Sequence, residues 1–269
     1  MEAEQVGPEA VAFSFPARLR IAIRMAAMAL WLCFCVALYY LWRVGGRHNP
    51  WPRIFLSGIG WIAGADVRVA GQRNRKGAFL LANHVSWIDI PALAGATGSA
   101  FVAHDGLAVN LVLRWLCRMN DTIFVARHQR ASVARQVDQL REAIRDTGAL
   151  TIFPEGTTGS GIGLLPFKSS LLSALDPLPA GIIVQPVWLD YGPEVADIAW
   201  VGEEHGVDNF MRILARSQPI AMTVHFLEPL QGEDLANRKT IAAAARDAIE
   251  RAMHEARGDW AAQEHPKDY

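Results

Sequence analysis

Cysteine is scarce in this chain of 269 residues, which contains only Cys33, Cys35 and Cys117. No C-x-x-C pair is present, and no group of histidines accompanies the cysteines. Disulfide frameworks need several cysteine pairs, and structural zinc sites need clustered cysteine and histidine ligands. The sequence therefore argues against both a disulfide framework and a zinc site.

Two common active-site motifs are also lacking. The loop at residues 156–163 is rich in glycine, but no Lys-Ser/Thr pair follows Gly161 and no G-x-G-x-x-G can be written. Ser86 does not lie in a G-x-S-x-G elbow. Nucleotide binding and serine hydrolysis are therefore disfavoured. The net charge of −1 by itself says nothing about partners, and we expect no nucleic-acid partner.

Acidic residues are missing from residues 10–65, although this segment holds several arginines: Arg18, Arg20, Arg24, Arg43, Arg47 and Arg53. Each Lys or Arg near an anionic bilayer surface contributes about 1 kcal/mol of attraction. Residues 25–42 within it carry no charge, and this length is at the lower limit for crossing a bilayer. The segment therefore predicts a membrane anchor, with a buried core helix as the alternative.

The aromatic residues Tyr39, Tyr40 and Trp42 end the apolar run, where a cleaved signal peptide would have small residues. A retained anchor is therefore expected. A second apolar stretch, residues 54–65, is too short to span and predicts a helix lying in the membrane interface. The flanking arginines are balanced, so they do not fix the orientation.

Beyond Asp66, short runs rich in β-forming residues alternate with helical patterns. This alternation predicts an α/β fold in which a mostly parallel sheet is covered by helices. We expect an anchor at residues 1–65, a catalytic domain at 66–258 and a tail at 259–269. Helical periodicity is clearest at residues 131–147 and 239–257. The candidate strands are residues 67–71, 78–83, 100–104, 122–127, 149–155, 181–189 and 221–229.

His84 directly follows the second of these strands, and Asp89 comes five positions later. If a helix begins near Ser86 as its N-cap, Asp89 lies in the first turn and can reach the imidazole. A carboxylate on one ring nitrogen leaves the other nitrogen free to accept a proton from an alcohol. The pattern predicts a general base, and the alternative is a helix-capping aspartate beside an unrelated histidine.

A second candidate motif, F-P-E-G-T at residues 153–157, ends the strand that begins at residue 149. Proline marks the end of the strand, so Glu155, Gly156 and Thr157 are expected on a loop that suits a polar ligand. The alternative is a simple turn at the strand exit.

Candidate anion ligands come from a basic cluster and from one lysine. Arg127 ends the strand at 122–127, where a guanidinium suits bidentate capture of a phosphate. Arg130 and Arg135 are expected to be solvated helix residues. Lys168 is either a further anion ligand or a surface lysine.

In this order, the motifs resemble those of the glycerolipid acyltransferase family, specifically the 1-acyl-sn-glycerol-3-phosphate acyltransferases. The matching segments are N-H-V-S-W-I-D at 83–89, I-F-V-A-R at 123–127, F-P-E-G-T at 153–157, L-P-F-K at 165–168 and V-Q-P-V at 184–187. The resemblance covers residues 67–229. One position departs from the family, because Thr158 stands where many members have arginine.

The resemblance implies an N-terminal helical membrane motif, a domain on the cytoplasmic face of a bacterial inner membrane, and no metal or cofactor. The donor would be acyl-CoA or acyl-carrier protein, and the acceptor the sn-2 hydroxyl of 1-acyl-glycerol-3-phosphate, giving phosphatidic acid. His84 and Asp89 would be catalytic, and Arg127, Glu155, Gly156, Thr157 and Lys168 would bind substrate. The alternatives are another acceptor such as lyso-ornithine lipid, a non-catalytic lipid-binding protein, and a soluble thioesterase.

Overall fold

The computed structural model describes residues 13–45, 49–74, 77–104, 111–120, 122–125, 144 and 148–264. Two helices come first: α1 (Phe15–Arg43) has Pro16 in its first turn, and α2 (Trp51–Ala63) ends at Gly64 in the left-handed conformation. In the described part of the chain, α1 is the one helix long and apolar enough to cross a membrane, and only 17% of its most apolar window is buried. That exposure argues against a helix of a soluble core.

A seven-stranded sheet forms the centre of the described structure. Its strands are β1 (Ala65–Gly71), β2 (Ala78–Ala82), β3 (Ala100–His104), β4 (Ile123–Val125), β5 (Ala149–Ile152), β6 (Ile183–Asp190) and β7 (Ile220–Phe226). The order is β1-β7-β6-β2-β5-β3-β4, and all neighbours are parallel except the antiparallel pair of β6 and β7. The prediction of a mostly parallel sheet is confirmed, and a strand is found at each predicted run.

Helices cover both faces of this sheet. They are α3 (Asp89–Thr97), α4 (Leu111–Met119), α5 (Val195–Ile198), α6 (Gly206–Ala215) and α7 (Arg238–Glu264), with 3-10 turns at Ser169–Leu175, Gly192–Glu194 and Gly232–Leu235. The helix predicted at 239–257 is α7, which continues to Glu264. The helix predicted at 131–147 lies, apart from Ile144, outside the described residues.

Strand β2 shows why the core has two halves. All five of its residues are buried, and successive side chains point to opposite faces of the sheet. Leu80 and Ala82 belong to one apolar cluster, which includes residues of α3 and α6, whereas Phe79 and Leu81 belong to a second cluster with residues of α7. A strand buried on both faces is typical of a parallel sheet between helix layers.

The first helix is attached to the rest of the protein by arginines. The Arg24 guanidinium donates to the carbonyls of Leu214 (3.0 Å) and Arg216 (3.1 Å), and Arg20 donates to the carbonyl of Ala215. These carbonyls end α6 and have no partner within that helix, so cationic donors there also suit the helix dipole. The apolar N-terminal helix is therefore fixed to the layer that covers the sheet.

Candidate active site

The site lies where β2 and β5 end side by side at the same edge of the sheet. The side chain of Asn83, directly after β2, accepts the Leu189 N–H (2.7 Å) and donates to the Leu189 carbonyl (3.2 Å). This pair of bonds ties the end of β2 to β6. The next residue, His84, is therefore presented at the carboxyl edge, where ligands of such sheets bind.

His84 and Asp89 are in contact, as the sequence predicts. Nδ1 of His84 lies 2.8 Å from Oδ2 of Asp89, and the exposed fractions of the two side chains are 16% and 0%. Oδ2 of Asp89 also accepts the backbone N–H groups of Val85 (2.6 Å) and Ser86 (3.0 Å). A carboxylate so placed holds the proton on Nδ1 and leaves Nε2 as the basic nitrogen.

The expectation that Ser86 caps the following helix is wrong. Helix α3 begins at Asp89, with Ile88 before it, and residues 86–88 form a turn. The Ser86 hydroxyl instead donates to Oδ1 of Asn209 on α6, at 3.0 Å. The carboxylate of Asp89 accepts the N–H groups of Val85 and Ser86, which precede the helix, so it fixes the turn rather than capping α3.

A buried tyrosine, which the sequence did not indicate, completes the surroundings of Asp89. Tyr191 directly follows β6, is 3% exposed, and donates its hydroxyl to Oδ1 of Asp89. Burial, and then the charge of Asp89, raise the pKa of Tyr191 well above 10. The phenol therefore stays protonated and acts as a donor to the carboxylate.

Glu155 is 2% exposed, and both of its carboxylate oxygens are bonded to the backbone. Oε1 accepts the His84 N–H at 2.9 Å, and Oε2 accepts the Leu165 N–H at 3.0 Å. Burial raises the pKa of this carboxyl, although the two backbone N–H groups offset part of the rise. The side chain thus joins the His84 segment to the loop at 159–165.

Gly156 and Thr157 follow Glu155 in the F-P-E-G-T loop, and both are exposed. Gly156 adopts φ +71°, and a Cβ there would lie 3.1 Å from Nζ of Lys168. The ammonium group of Lys168 therefore rests against the F-P-E-G-T loop. The backbone N–H of Lys168 also donates to the Pro154 carbonyl, at 2.8 Å.

Phe153 is a further site residue that the motif alone did not indicate. Its ring stacks on the imidazole of His84, with centroids 4.1 Å apart and an angle of 16° between the planes. The general-base candidate is thus held by a carboxylate at its edge and by an aromatic ring on one face.

The predicted phosphate ligand Arg127 lies outside the described residues, as do Arg130 and Arg135, which are expected on a solvated helix. Thr158, at the position where arginine is common, donates its hydroxyl to the Trp200 carbonyl at 2.6 Å. Within the described ranges, no group of three or more His, Cys, Asp or Glu side chains could hold a metal ion.

Comparisons with known proteins identify the family. Residues 66–190 match the sequence model of the family described as Acyltransferase. A lyso-ornithine lipid O-acyltransferase of Rhodobacter capsulatus is 32% identical over 88% of this chain and 91% of that protein. A 1-acyl-sn-glycerol-3-phosphate acyltransferase of Neisseria meningitidis is 33% identical over 67% of this chain and 71% of that protein.

A solved structure shares the fold. It is the 1-acyl-sn-glycerophosphate acyltransferase PlsC of Thermotoga maritima, with a TM-score of 0.57 and 21% identity, over 88% of this chain and 98% of that one. The fold and the sequence matches together define a lipid acyltransferase. The chain belongs to the acyltransferase family and is similar to members that act on lysolipids.

Proposed function

We propose that this protein transfers a fatty acyl group from a thioester to the hydroxyl of a lysolipid, and that lyso-ornithine lipid is the acceptor. The observation that carries the chemistry is the contact between His84 and the buried Asp89 at the sheet edge. The relative named for lyso-ornithine lipid, which aligns over nearly the whole chain, supports the acceptor.

In the proposed reaction, Nε2 of His84 removes the proton of the acceptor hydroxyl as its oxygen attacks the thioester carbonyl carbon. Asp89 stabilises the imidazolium that forms. The tetrahedral intermediate then collapses, the carbon–sulfur bond breaks, and the imidazolium returns its proton to the departing thiolate. The products are an ester and a free thiol, and no acyl-enzyme is needed because the thioester is already activated.

The donor is either acyl-CoA or acyl-carrier protein, since both present the same thioester, and the reaction uses no metal or other cofactor. The bilayer supplies the acceptor. We place α1 in the membrane, with α2 at its interface and the catalytic domain on the cytoplasmic face of a bacterial inner membrane. The absence of acidic residues from 10–65 supports contact with anionic lipid.

We assign the head group of the acceptor to the F-P-E-G-T loop, which lies beside His84. Lys168, resting on Gly156, suits an anion, and Arg127 is proposed as a second cationic ligand. Gly156 and Thr157 lie at the exposed side of the same loop, while Glu155 orients it. A carboxylate, as in ornithine, needs fewer cationic contacts than a phosphate dianion, which agrees with Thr158 at the arginine position.

Lysophosphatidate is the second candidate acceptor. The F-P-E-G-T and L-P-F-K segments and the Neisseria relative favour it, and the product would be phosphatidic acid. The chemistry at His84 would be the same, because each acceptor presents a hydroxyl group to the thioester.

The test is an assay of membranes that carry the protein, with labelled acyl-CoA or acyl-carrier protein and the two acceptors in separate reactions. We expect label in ornithine lipid at a rate well above that in phosphatidic acid. Label only in phosphatidic acid would select the second candidate. Label released only as free fatty acid, with no acylated lipid, would refute the proposed transfer and favour a thioesterase.

A further inference from the structure

The carboxylate of Asp89 is held by four donors in the described structure. Oδ2 faces Nδ1 of His84 and the N–H groups of Val85 and Ser86, and Oδ1 accepts the hydroxyl of Tyr191. Because the residue is fully buried, these donors replace water around the charge. The strength of each donor therefore affects how much negative charge remains on Oδ2, the oxygen that faces the imidazole.

Tyr191 differs from the other donors because it reaches Asp89 from a distant part of the chain. It follows the last residue of β6, a neighbour of β2, and its ring is buried in the core that contains Ile88 and Val85. The backbone donors belong to the same turn as Asp89, so they are fixed by local geometry. Among the described residues, the phenol is the one donor to Oδ1, and it ties this oxygen to the end of β6.

We propose that Tyr191 is a positioning residue that fixes the Asp89 carboxylate and moderates its pull on the proton of His84. The proposal rests on the proposed function, in which His84 is the general base. A phenol that donates to Oδ1 draws negative charge toward that oxygen and away from Oδ2. It thereby weakens the hold of the carboxylate on an imidazolium, so that the proton taken up by Nε2 can pass on to the departing thiolate.

Tyr191→Phe tests this by removing one hydroxyl and keeping the buried ring. We expect kcat to fall about 10-fold, a part of what a general base contributes, with the acceptor KM within about twofold. The acid limb of kcat/KM against pH should move to higher pH. Loss of the donor leaves more negative charge on Oδ2 and so favours an imidazolium at His84. Glu155 is a further titratable group that interacts electrostatically with Asp89.

A second probe keeps the proposal testable if the phenylalanine variant does not fold. With 3-fluorotyrosine at position 191, the hydroxyl is retained and becomes a stronger donor, so the acid limb should move to lower pH. The matched control is Tyr40→Phe, which removes the same group from an exposed residue of α1. Its pH profile and kcat should equal those of the unchanged protein.

An unchanged kcat in Tyr191→Phe would overturn the proposal. A lower kcat with the acid limb unmoved would also overturn it, because a merely structural role lowers activity without changing the profile. The proposed function fails separately, through full activity of His84→Ala. An unchanged kcat in Tyr191→Phe beside inactive His84→Ala would therefore refute the role of Tyr191 alone.

Discussion

The imidazole of His84 lies nearly parallel to the ring of Phe153, with 4.1 Å between the ring centroids. The two residues end neighbouring strands, β2 and β5, and Phe153 is in turn stacked near Phe101 on β3, at 6.1 Å. The base is therefore supported by a row of rings that crosses three strands. This relationship joins the N-H-V-S-W-I-D and F-P-E-G-T motifs physically.

Replacing Phe153 with Leu should lower kcat because the imidazole loses its flat support. Aromatic pairs contribute about 0.5–1.5 kcal/mol beyond the area they bury, which corresponds to a loss of about 2- to 10-fold in kcat. The measurement is the steady-state rate at saturating donor and acceptor. Phe210→Leu is the control, since Phe210 packs on Trp87, with centroids 5.0 Å apart; equal losses in both variants would contradict the support role.

Glu155 should make stability fall as pH rises through the mildly acidic range. Burial raises the pKa of this carboxyl above 4.5, so the folded state binds the proton more tightly than the unfolded state. The stability it contributes is present below 4.5 and is lost as pH rises through the folded pKa. The free energy of unfolding of the unchanged protein, relative to that of Glu155→Gln, should decline over this range and then level off.

Glu204→Gln is a control for which the change of stability with pH should have the opposite sign. A hydrogen bond from Arg212, ahead of other causes, lowers the pKa of Glu204, so its stabilising contribution is present above 4.5 and is lost as pH falls through the folded pKa. The free energy of unfolding of the unchanged protein, relative to that of Glu204→Gln, should therefore increase with pH. Slopes of the same sign for the two residues would contradict the burial argument.

Lys168→Met should weaken acceptor binding, because the ammonium group that rests on Gly156 is lost. An exposed charge contact is worth about 0.2–1 kcal/mol, so we expect the acceptor KM to rise about 1.5- to 5-fold with little change in kcat. Lys239→Met, on the exposed side of α7, is the matched control. An acceptor KM that stays the same in Lys168→Met would show that this lysine is only a surface residue.

Arg24→Ala should destabilise the attachment of α1 to α6. The guanidinium donates to three carbonyls at the end of that helix, and a cation in such a place contributes about 0.3–2 kcal/mol. Arg18→Ala removes the same side chain from α1, but Arg18 bonds only locally, to the Phe13 carbonyl at 2.9 Å. We expect a lower melting temperature in detergent for Arg24→Ala alone, and equal shifts would refute the assignment.

The sheet was predictable because each strand carries its own local pattern of apolar and β-branched residues. The order in which the strands pair was not predictable, because the antiparallel contact of β6 with β7 depends on how distant strands pack. The long apolar helix α1 was likewise predictable from a local absence of charge. Its attachment through Arg24 was not, because the partners lie about 190 residues later in the chain.

The candidate site likewise has features that the sequence predicts and features that it does not. The contact of His84 with Asp89 was predictable, because a strand followed by a tight turn brings positions five apart together. The partners of Ser86 and Asp89 across the fold, Asn209 and Tyr191, are more than 100 residues away and leave no local signal. Glu155 was placed on a loop correctly, but its burial depends on two backbone groups that only the folded chain brings to it.

Acyl transfer by His84→Ala tests the general-base role most directly. Membranes that carry equal amounts of folded variant or unchanged protein would receive labelled acyl donor and lyso-ornithine lipid, with His254→Ala, an exposed histidine of α7, as the matched control. We expect the rate to fall at least about 100-fold for His84→Ala and to stay unchanged for His254→Ala. A rate for His84→Ala equal to that of the unchanged protein would contradict the role of this imidazole as the base.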